Sequence, residues 1–270
     1  MGKIIFLDID GTIRNFDGTV PATAAEAIRK ARQNGHEVLI NTGREYFRIE
    51  KEVLDIGFDG VIASSGGYVE YKGEKIARRY FTQLAYIELM KDLLEQRCVV
   101  EMGNSKESYV LRESRAEYQR ILDEVFRGKS MCSEPQVPVW VESLLDVPEV
   151  EKLVVFGKDD TSRTVLSKWG YSFHITDLRI SVPGIWAGEI TPNYSTKAEG
   201  MRQILKAKEC GREDTVAVGD SDNDIEMIRY AGTGVAMGNG TEWVKEIADF
   251  VTAPIMEDGL WKAFVHMGLV

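Results

Sequence analysis

Positive charge is in short supply in this chain. Its 33 lysines and arginines stand against 43 aspartates and glutamates, a net charge of -10. That deficit argues against nucleic acid or an anionic membrane as partner, since both need a basic face. Cysteine is scarce too: Cys98, Cys132 and Cys210 are odd in number, far apart and match no zinc spacing, so they read as reduced thiols in a cytoplasmic protein. The only histidines, His36, His174 and His266, lie away from the polar motifs and read as structural. No apolar run approaches the roughly 18 residues of a membrane span. The first strand begins by Ile4, so no signal peptide is expected, and Phe6 stands where myristoylation needs Ser or Thr. No Gly-x-x-x-x-Gly-Lys-Ser/Thr loop is present, and Gly232-x-Gly234-x-x-x-Gly238 has the wrong spacing for a dinucleotide loop.

What remains is an ordinary globular composition, 44% hydrophobic and 28% charged, in a chain of 270 residues long enough for one large or two modest domains. Ile4-Ile5-Phe6-Leu7 reads as a buried strand. Thr23 to Asn34 reads as a helix with a Thr23-x-x-Glu26 capping box. Glu37 to Asn41 is a strand, Glu45 to Ile56 a helix, Val61 to Ala63 a strand, and Tyr68 to Ile76 a hairpin. Strand alternating with helix predicts a parallel α/β sheet.

The pattern changes near Thr82. Helices are predicted at Leu84–Gln96, Ser114–Phe126 and Ser162–Trp169. Strands are predicted at Val99–Glu101, Ser108–Leu111, Leu153–Phe156, Tyr171–Ile175 and Ile180–Val182, with Gly128 to Pro138 the least regular stretch. This mixture reads as an inserted α+β domain. From about Glu189 the parallel pattern resumes, with Thr196 capping a helix to Lys208, a strand at Thr215–Val218, and two further strands and helices to the end. The expected division is residues 1–82 and 188–270 as one core domain, with 83–187 inserted.

In an open parallel sheet, ligands gather beyond the carboxyl ends of the strands. Asp8-Ile9-Asp10-Gly11-Thr12, Thr42-Gly43-Arg44 and Gly219-Asp220-Ser221-Asp222-Asn223-Asp224 each follow such an end, and Lys197 opens a helix. Taken alone, each has a bland reading: Asp-x-Asp-Gly as turn chemistry, Thr-Gly as a strand-end turn, Lys197 as an exposed first-turn lysine, Asp220 and Asp224 as acids at a helix start. Together they suggest a phosphoryl site. Two acids at a strand end can supply a nucleophile and a proton donor, provided Gly11 lets the backbone bend. Lys197 would be a point charge on a phosphate, and the Gly43 backbone could approach it closely. Clustering Asp8, Asp10, Asp220 and Asp224 calls for a hard divalent cation, with Mg²⁺ suited to a site that also holds phosphate. A calcium loop at Asp220-x-Asp222-x-Asp224 is excluded, because Ile225 replaces the sixth-position Gly and Ala231 the twelfth-position Glu. Trp186 reads as a core aromatic near the return hinge; Arg44 is left open between substrate and solvent, and Arg112 and Arg179 are candidate leaving-group contacts.

These four motifs, in this order, resemble those of the haloacid dehalogenase-like hydrolase superfamily, most closely its Cof-type sugar-phosphate phosphatases, across essentially the whole chain. The resemblance implies a Rossmann-like α/β core with an α+β cap between the second and third motifs. It implies that Asp8 attacks phosphorus to form an aspartyl-phosphate, and that Asp10 protonates the leaving alcohol and then activates water. Mg²⁺ would sit on the Asp8 carboxylate, the Asp10 backbone carbonyl and Asp220; Thr42, Gly43, Lys197 and Asn223 would hold the phosphoryl group; Asp224 would support the metal shell and orient Lys197. An acid at position 10 separates this chain from the dehalogenases, which lack one there, and from the ion-pumping ATPases, which carry Thr. The family often has Asn-Gly-Ala after the third strand, where this chain has Ser65-Gly66-Gly67.

The expected activity is Mg²⁺-dependent hydrolysis of small phosphorylated metabolites, sugar phosphates foremost, under a mobile cap, by a monomer or weak homo-oligomer. A phosphosugar mutase would use the same residues and return the phosphoryl group to sugar. A non-catalytic phosphometabolite sensor would not need both Asp8 and Asp10.

Overall fold

The computed structural model describes residues 2–125, 127, 136–178, 180 and 182–270. The expectations placed on Phe126, Cys132 and Arg179, and on positions 128–135 of the irregular stretch, lie outside the described residues. In chain order the elements are β1 (Ile4–Leu7), α1 (Ala22–Gln33), β2 (Glu37–Asn41), α2 (Lys51–Leu54), β3 (Gly60–Ala63), β4 (Tyr68–Tyr71) and β5 (Glu74–Arg78). There follow α3 (Gln83–Glu95), β6 (Val99–Gly103), β7 (Ser108–Leu111), α4 (Arg115–Val125), β8 (Val139–Val141), β9 (Lys152–Lys158), α5 (Thr161–Trp169), β10 (Phe173–Leu178) and β11 (Ile185–Pro192). The chain closes with α6 (Lys197–Ala207), β12 (Thr215–Gly219), α7 (Ile225–Tyr230), β13 (Thr233–Ala236), α8 (Glu242–Ile247), β14 (Phe250–Val251) and α9 (Gly259–His266).

Two compact units result: residues 1–44, 48–78 and 196–270 form the first, and residues 45–47 and 79–195 the second. The first unit is built on an eight-stranded sheet ordered β14-β13-β12-β1-β2-β3-β4-β5. From β14 to β3 the strands are parallel, and β4 and β5 then turn back antiparallel. The chain moves from β1 outward through β2 and β3, then returns to place β12 on the other side of β1. The order therefore reverses at β1, and a crevice is expected where β1 and β12 end. All four β1 residues are buried, as a central strand covered on both faces requires.

Helix α6 lies against this sheet through the buried Gly200, which faces Ile62, and through Met201, Ile204 and Leu205, which are buried with Phe6, Leu39 and Ile62 in one apolar cluster. Its N-cap is Thr196, whose hydroxyl accepts from the Glu199 amide. The Thr23 capping box is not formed. Helix α1 begins one residue earlier with Pro21 at the N-cap, and the Thr23 hydroxyl instead donates to Asp258. The helix expected over Glu45–Ile56 is also wrong: a short 3-10 turn at Tyr46–Arg48 precedes the four-residue α2.

The second unit carries a six-stranded sheet ordered β10-β11-β9-β6-β7-β8, antiparallel except between β7 and β8. The chain does not return to the parallel sheet at Glu189: in β11 that residue pairs with Thr176 of β10 and Val154 of β9, and the first unit resumes only at Thr196. The predicted strand at Ile180–Val182 is not one at its described residues. Trp186 packs against the apolar cluster of this unit and donates through Nε1 to Asp177, as a core-facing aromatic would. Arg112 is engaged by Glu142 and the Trp140 carbonyl.

Truncating Ile204 to Ala should cost about 2–5 kcal/mol, since its side chain is fully buried in the cluster that seats α6. The check is the urea midpoint at unchanged m-value; a loss below about 1 kcal/mol would show that α6 is not held by this face.

Candidate active site

The site forms where β1, β2 and β12 end. Asp8 follows β1, and its amide donates to the Val218 carbonyl of β12 (3.0 Å), which keeps the two strand ends together. Gly11 then turns with φ +89°, and a Cβ there would lie 2.2 Å from an Asp220 carboxylate oxygen. Only glycine satisfies both the left-handed backbone and that close approach. Asn239 braces the same turn: its side-chain amide donates to the Gly11 carbonyl (2.9 Å), while its oxygen accepts from the Ile255 amide.

Lys197 is the charge at the centre. Its ammonium is buried and donates to Asp8 Oδ1 (2.6 Å), Asp224 Oδ1 (2.5 Å) and Asn223 Oδ1 (3.3 Å), three acceptors for three protons. Burial alone would push its pKa down, but Asp224 and Asp8 outweigh that, and the group is held firmly as a cation. Asn41, buried at the end of β2, donates to the Lys197 carbonyl (3.2 Å) and fixes the first residue of α6. The other Asp224 oxygen accepts from the amides of Asp220 (2.9 Å) and Ser221 (3.0 Å), so Asp224 is committed to shaping the loop after β12.

Thr42, also buried, accepts from the Arg44 amide at its hydroxyl (3.2 Å), which leaves the hydroxyl proton to donate elsewhere. The Ser64–Gly66 turn packs beside it. Ser64 donates to the Arg44 carbonyl (2.7 Å) and Ser65 to the Thr42 carbonyl (3.0 Å). Gly66, at φ +92°, has the Thr196 carbonyl 2.3 Å from where a Cβ would stand. This turn therefore links the Thr42 loop to the cap of α6, whatever its departure from Asn-Gly-Ala.

The Asp10 carboxylate faces elsewhere. Arg44 grips both of its oxygens, Nε to Oδ2 and Nη2 to Oδ1, each at 2.6 Å, and Arg14 Nη1 lies 3.3 Å from Oδ1. The structure thus places Asp8, Lys197, Asp220, Asn223 and Asp224 in one cluster, with Asp10 and Thr42 joined to each other through Arg44. Gly43 lies in the turn between Thr42 and Arg44. Arg44, left open between substrate and solvent, is an ion-pair partner of Asp10. Sequence reasoning missed Asn41, Asn239, Arg14 and Glu50; of these Asn41, next to Thr42, and Arg14, four residues from Asp10, sat close enough in the chain to have been suspected.

The donors fit a hard cation. Asp8, Asp220 and Asp224 each offer a carboxylate oxygen, all within 4.8 Å of one another. Asp220 Oδ1 is buried with no hydrogen-bond partner, the state expected of a ligand oxygen. With both Asp224 oxygens engaged, Asp8 and Asp220 are the natural ligands. Burial pushes the Asp8 carboxyl up to about 7, with Asp224 and Asp10 adding repulsion and Lys197 opposing. Burial and the charges of Asp8 and Asp224 push Asp220 up to about 8. A divalent ion would remove that penalty.

Residues 5–264 match the family profile described as haloacid dehalogenase-like hydrolase. The chain is 29% identical over 273 residues to YkrA of Bacillus subtilis, a protein with a phosphatase name, covering 99% of this chain and 98% of that protein. It is 29% identical over 269 residues to the 5-amino-6-(5-phospho-D-ribitylamino)uracil phosphatase YitU of the same organism, covering 95% and 94%. Among solved structures, a HAD subclass IIB sugar phosphatase superposes with a TM-score of 0.82 at 27% identity, covering 99% of this chain and all of the other.

The raised carboxyls make the metal-free protein sensitive to pH. An acid whose folded pKa exceeds its ordinary 3.8 adds stability that is complete below that ordinary value and is lost as pH climbs through the folded one. The melting temperature without metal should therefore fall between about pH 5 and pH 9, and Mg²⁺ should raise it more at the upper end. Asp220→Asn should flatten the slope and blunt the Mg²⁺ response. Thermal melts in chelator and in Mg²⁺ across that range check this, and a pH-independent metal-free protein would contradict it.

Proposed function

Since this chain is a phosphatase of the haloacid dehalogenase-like hydrolase family, we propose that it hydrolyses small phosphorylated metabolites, sugar phosphates foremost, through an aspartyl-phosphate on Asp8. The observation that carries this reading is the Lys197 ammonium, drawn from 189 residues away to within 2.6 Å of the Asp8 carboxylate at the sheet's switch point. A buried cation beside a strand-end carboxylate suits a dianionic phosphoryl group entering against that carboxylate.

In the first step an Asp8 oxygen bonds to phosphorus, the ester P–O bond breaks, and the departing oxygen takes a proton from Asp10. In the second, Asp10 accepts a proton from water as that water's oxygen bonds to phosphorus and the acyl-phosphate bond breaks. Lys197 orients Asp8 throughout and balances the charge of the phosphoryl oxygens, with Asn223, the Thr42 hydroxyl and the Gly43 backbone as further contacts. Asp224 keeps Lys197 and the Asp220 loop in register. Mg²⁺ would be held by the Asp8 and Asp220 carboxylates and the Asp10 backbone carbonyl, and would supply neutralisation of the carboxylate–phosphate repulsion.

The sugar-phosphate class rests on the named substrates of similar proteins: YitU acts on a phosphorylated ribityl compound, and the subclass IIB structure is titled a sugar phosphatase. We assign the inserted unit the role of a cap from its place in the chain between the second and third motifs. A cytoplasmic location belongs to the same proposal. It rests on the free thiols of Cys98 and Cys210; among the described residues, no helix is long and apolar enough to cross a membrane.

Release of inorganic phosphate from a panel of sugar phosphates, with and without Mg²⁺, tests the reading. Asp8→Asn should lower kcat by about ten-thousand-fold or more while far-UV circular dichroism stays unchanged. Turnover retained in a folded Asp8→Asn protein would refute the aspartyl-phosphate route. Isomerised sugar phosphate in place of free phosphate would refute hydrolysis.

A further inference from the structure

Asp10 belongs to a ring of four charges, two of which no motif includes. Arg44 binds Asp10 through Nε and Nη2, and its Nη1 donates to Glu50 Oε2 (2.6 Å) and to the Arg48 carbonyl (3.2 Å). Arg14 repeats the bridge more loosely, with Nη1 3.3 Å from Asp10 Oδ1 and Nη2 3.4 Å from Glu50 Oε1. Two guanidiniums are thus each shared between two carboxylates. Glu50 lies forty residues from Asp10 in sequence, and its side chain is only 22% exposed.

We propose that Glu50 is a positioning residue for Asp10, acting through Arg44 and Arg14 as the alternative anion on which the two guanidiniums settle when Asp10 works. The inference rests on the role given to Asp10 above. A carboxyl oxygen that accepts from a guanidinium has one lone pair fewer with which to carry a proton toward a leaving oxygen. The fork from Arg44 occupies both Asp10 oxygens, and such a bidentate pair is strong. Freeing an oxygen from the fork leaves it a full set of lone pairs for carrying the proton to the alcohol. That release would strand two partly buried arginines if no second carboxylate stood beside them. Glu50 already holds one corner of each, so a small rotation of either guanidinium exchanges one carboxylate for the other without leaving charge unpaired.

The two half-reactions use this ring differently. Cleavage of an alkyl ester needs Asp10 with an oxygen freed to carry the proton. Attack of water on the phosphoenzyme needs Asp10 as the proton acceptor. An aryl ester with an acidic phenol departs without a proton and bypasses the first requirement. Glu50→Gln leaves an amide in place of the second anion, so both arginines stay on Asp10 and only the alkyl ester suffers.

The experiment compares kcat/KM, which reads the steps up to phosphoryl transfer, for glycerol 1-phosphate and 4-nitrophenyl phosphate. In Glu50→Gln the alkyl value should fall about 10- to 100-fold, up to the lower end of the usual general-acid contribution, and the aryl value less than about 3-fold. Glu50→Asp should recover most of the alkyl activity. The double variant Glu50→Gln with Arg14→Gln, which restores one guanidinium per carboxylate, should recover part of it. Equal losses on both esters, or an unchanged ratio in a folded variant, would overturn the role of Glu50. If Glu50→Gln does not fold, Arg14→Gln alone decides: the alkyl-to-aryl ratio should rise, and an unchanged or lowered ratio overturns the proposal. A wild-type protein that cleaves neither ester would instead overturn the phosphatase chemistry beneath it.

Discussion

One buried ammonium organises this structure. Lys197 is almost fully enclosed, and the cost of enclosing a charge is met only by partners of opposite sign at hydrogen-bond distance. Asp8 and Asp224 provide them, but Asp220 brings a third carboxylate into the same small volume. One cation among three acids leaves the cluster short of positive charge. The chain as a whole is also acidic, so the shortfall is not made up from a basic surface. A site poor in cations attracts a divalent ion, and only with that ion would the cluster tolerate a phosphoryl dianion.

The sheet order explains why these groups meet at all. Because β1 is flanked by β2 and β12, residues just past positions 7, 41 and 219 become neighbours at one edge of the sheet. Small backbone contacts then set their heights. The Asp8 amide on β12, the Asn41 side chain on the Lys197 carbonyl, and the Ser64–Gly66 turn between the Thr42 loop and Thr196 each fix one approach. The clustered polar groups themselves stand on strand ends and a helix start, which are stiffer supports than free loops.

Asp8, Asp220 and Lys197 were legible in the sequence because each sits where a strong local pattern stops. The run Ile4–Leu7 ends at one acid, Thr215–Gly219 at another, and Thr196 caps the helix that Lys197 opens. Local patterns also placed the parallel sheet and most of its helices. What escaped was long-range. β11 resembles a mixed segment because Gly188 and Glu189 interrupt its apolar residues, and only its pairing with β9 and β10 makes it a strand. Glu50 carries no signal, since its meaning depends on Arg44 folding back toward Asp10. The Thr23 box failed for a related reason: the motif fits a helix end, but Pro21 already supplies the fixed φ suited to starting one, and Thr23 found a distant acceptor in Asp258.

The division of the first unit into distant segments has a consequence for how the protein is made. β1 is central in the finished sheet, yet its second neighbour, β12, is separated from it by some two hundred positions. While the nascent chain is shorter than that, β1 is an edge, with one row of apolar side chains and amides open to any passing strand. Translation at about 5–20 residues per second keeps it so for about ten seconds or more, time in which the inserted unit can collapse around its own sheet. A chain with this connectivity thus cannot complete its hydrophobic centre until β12 has been made.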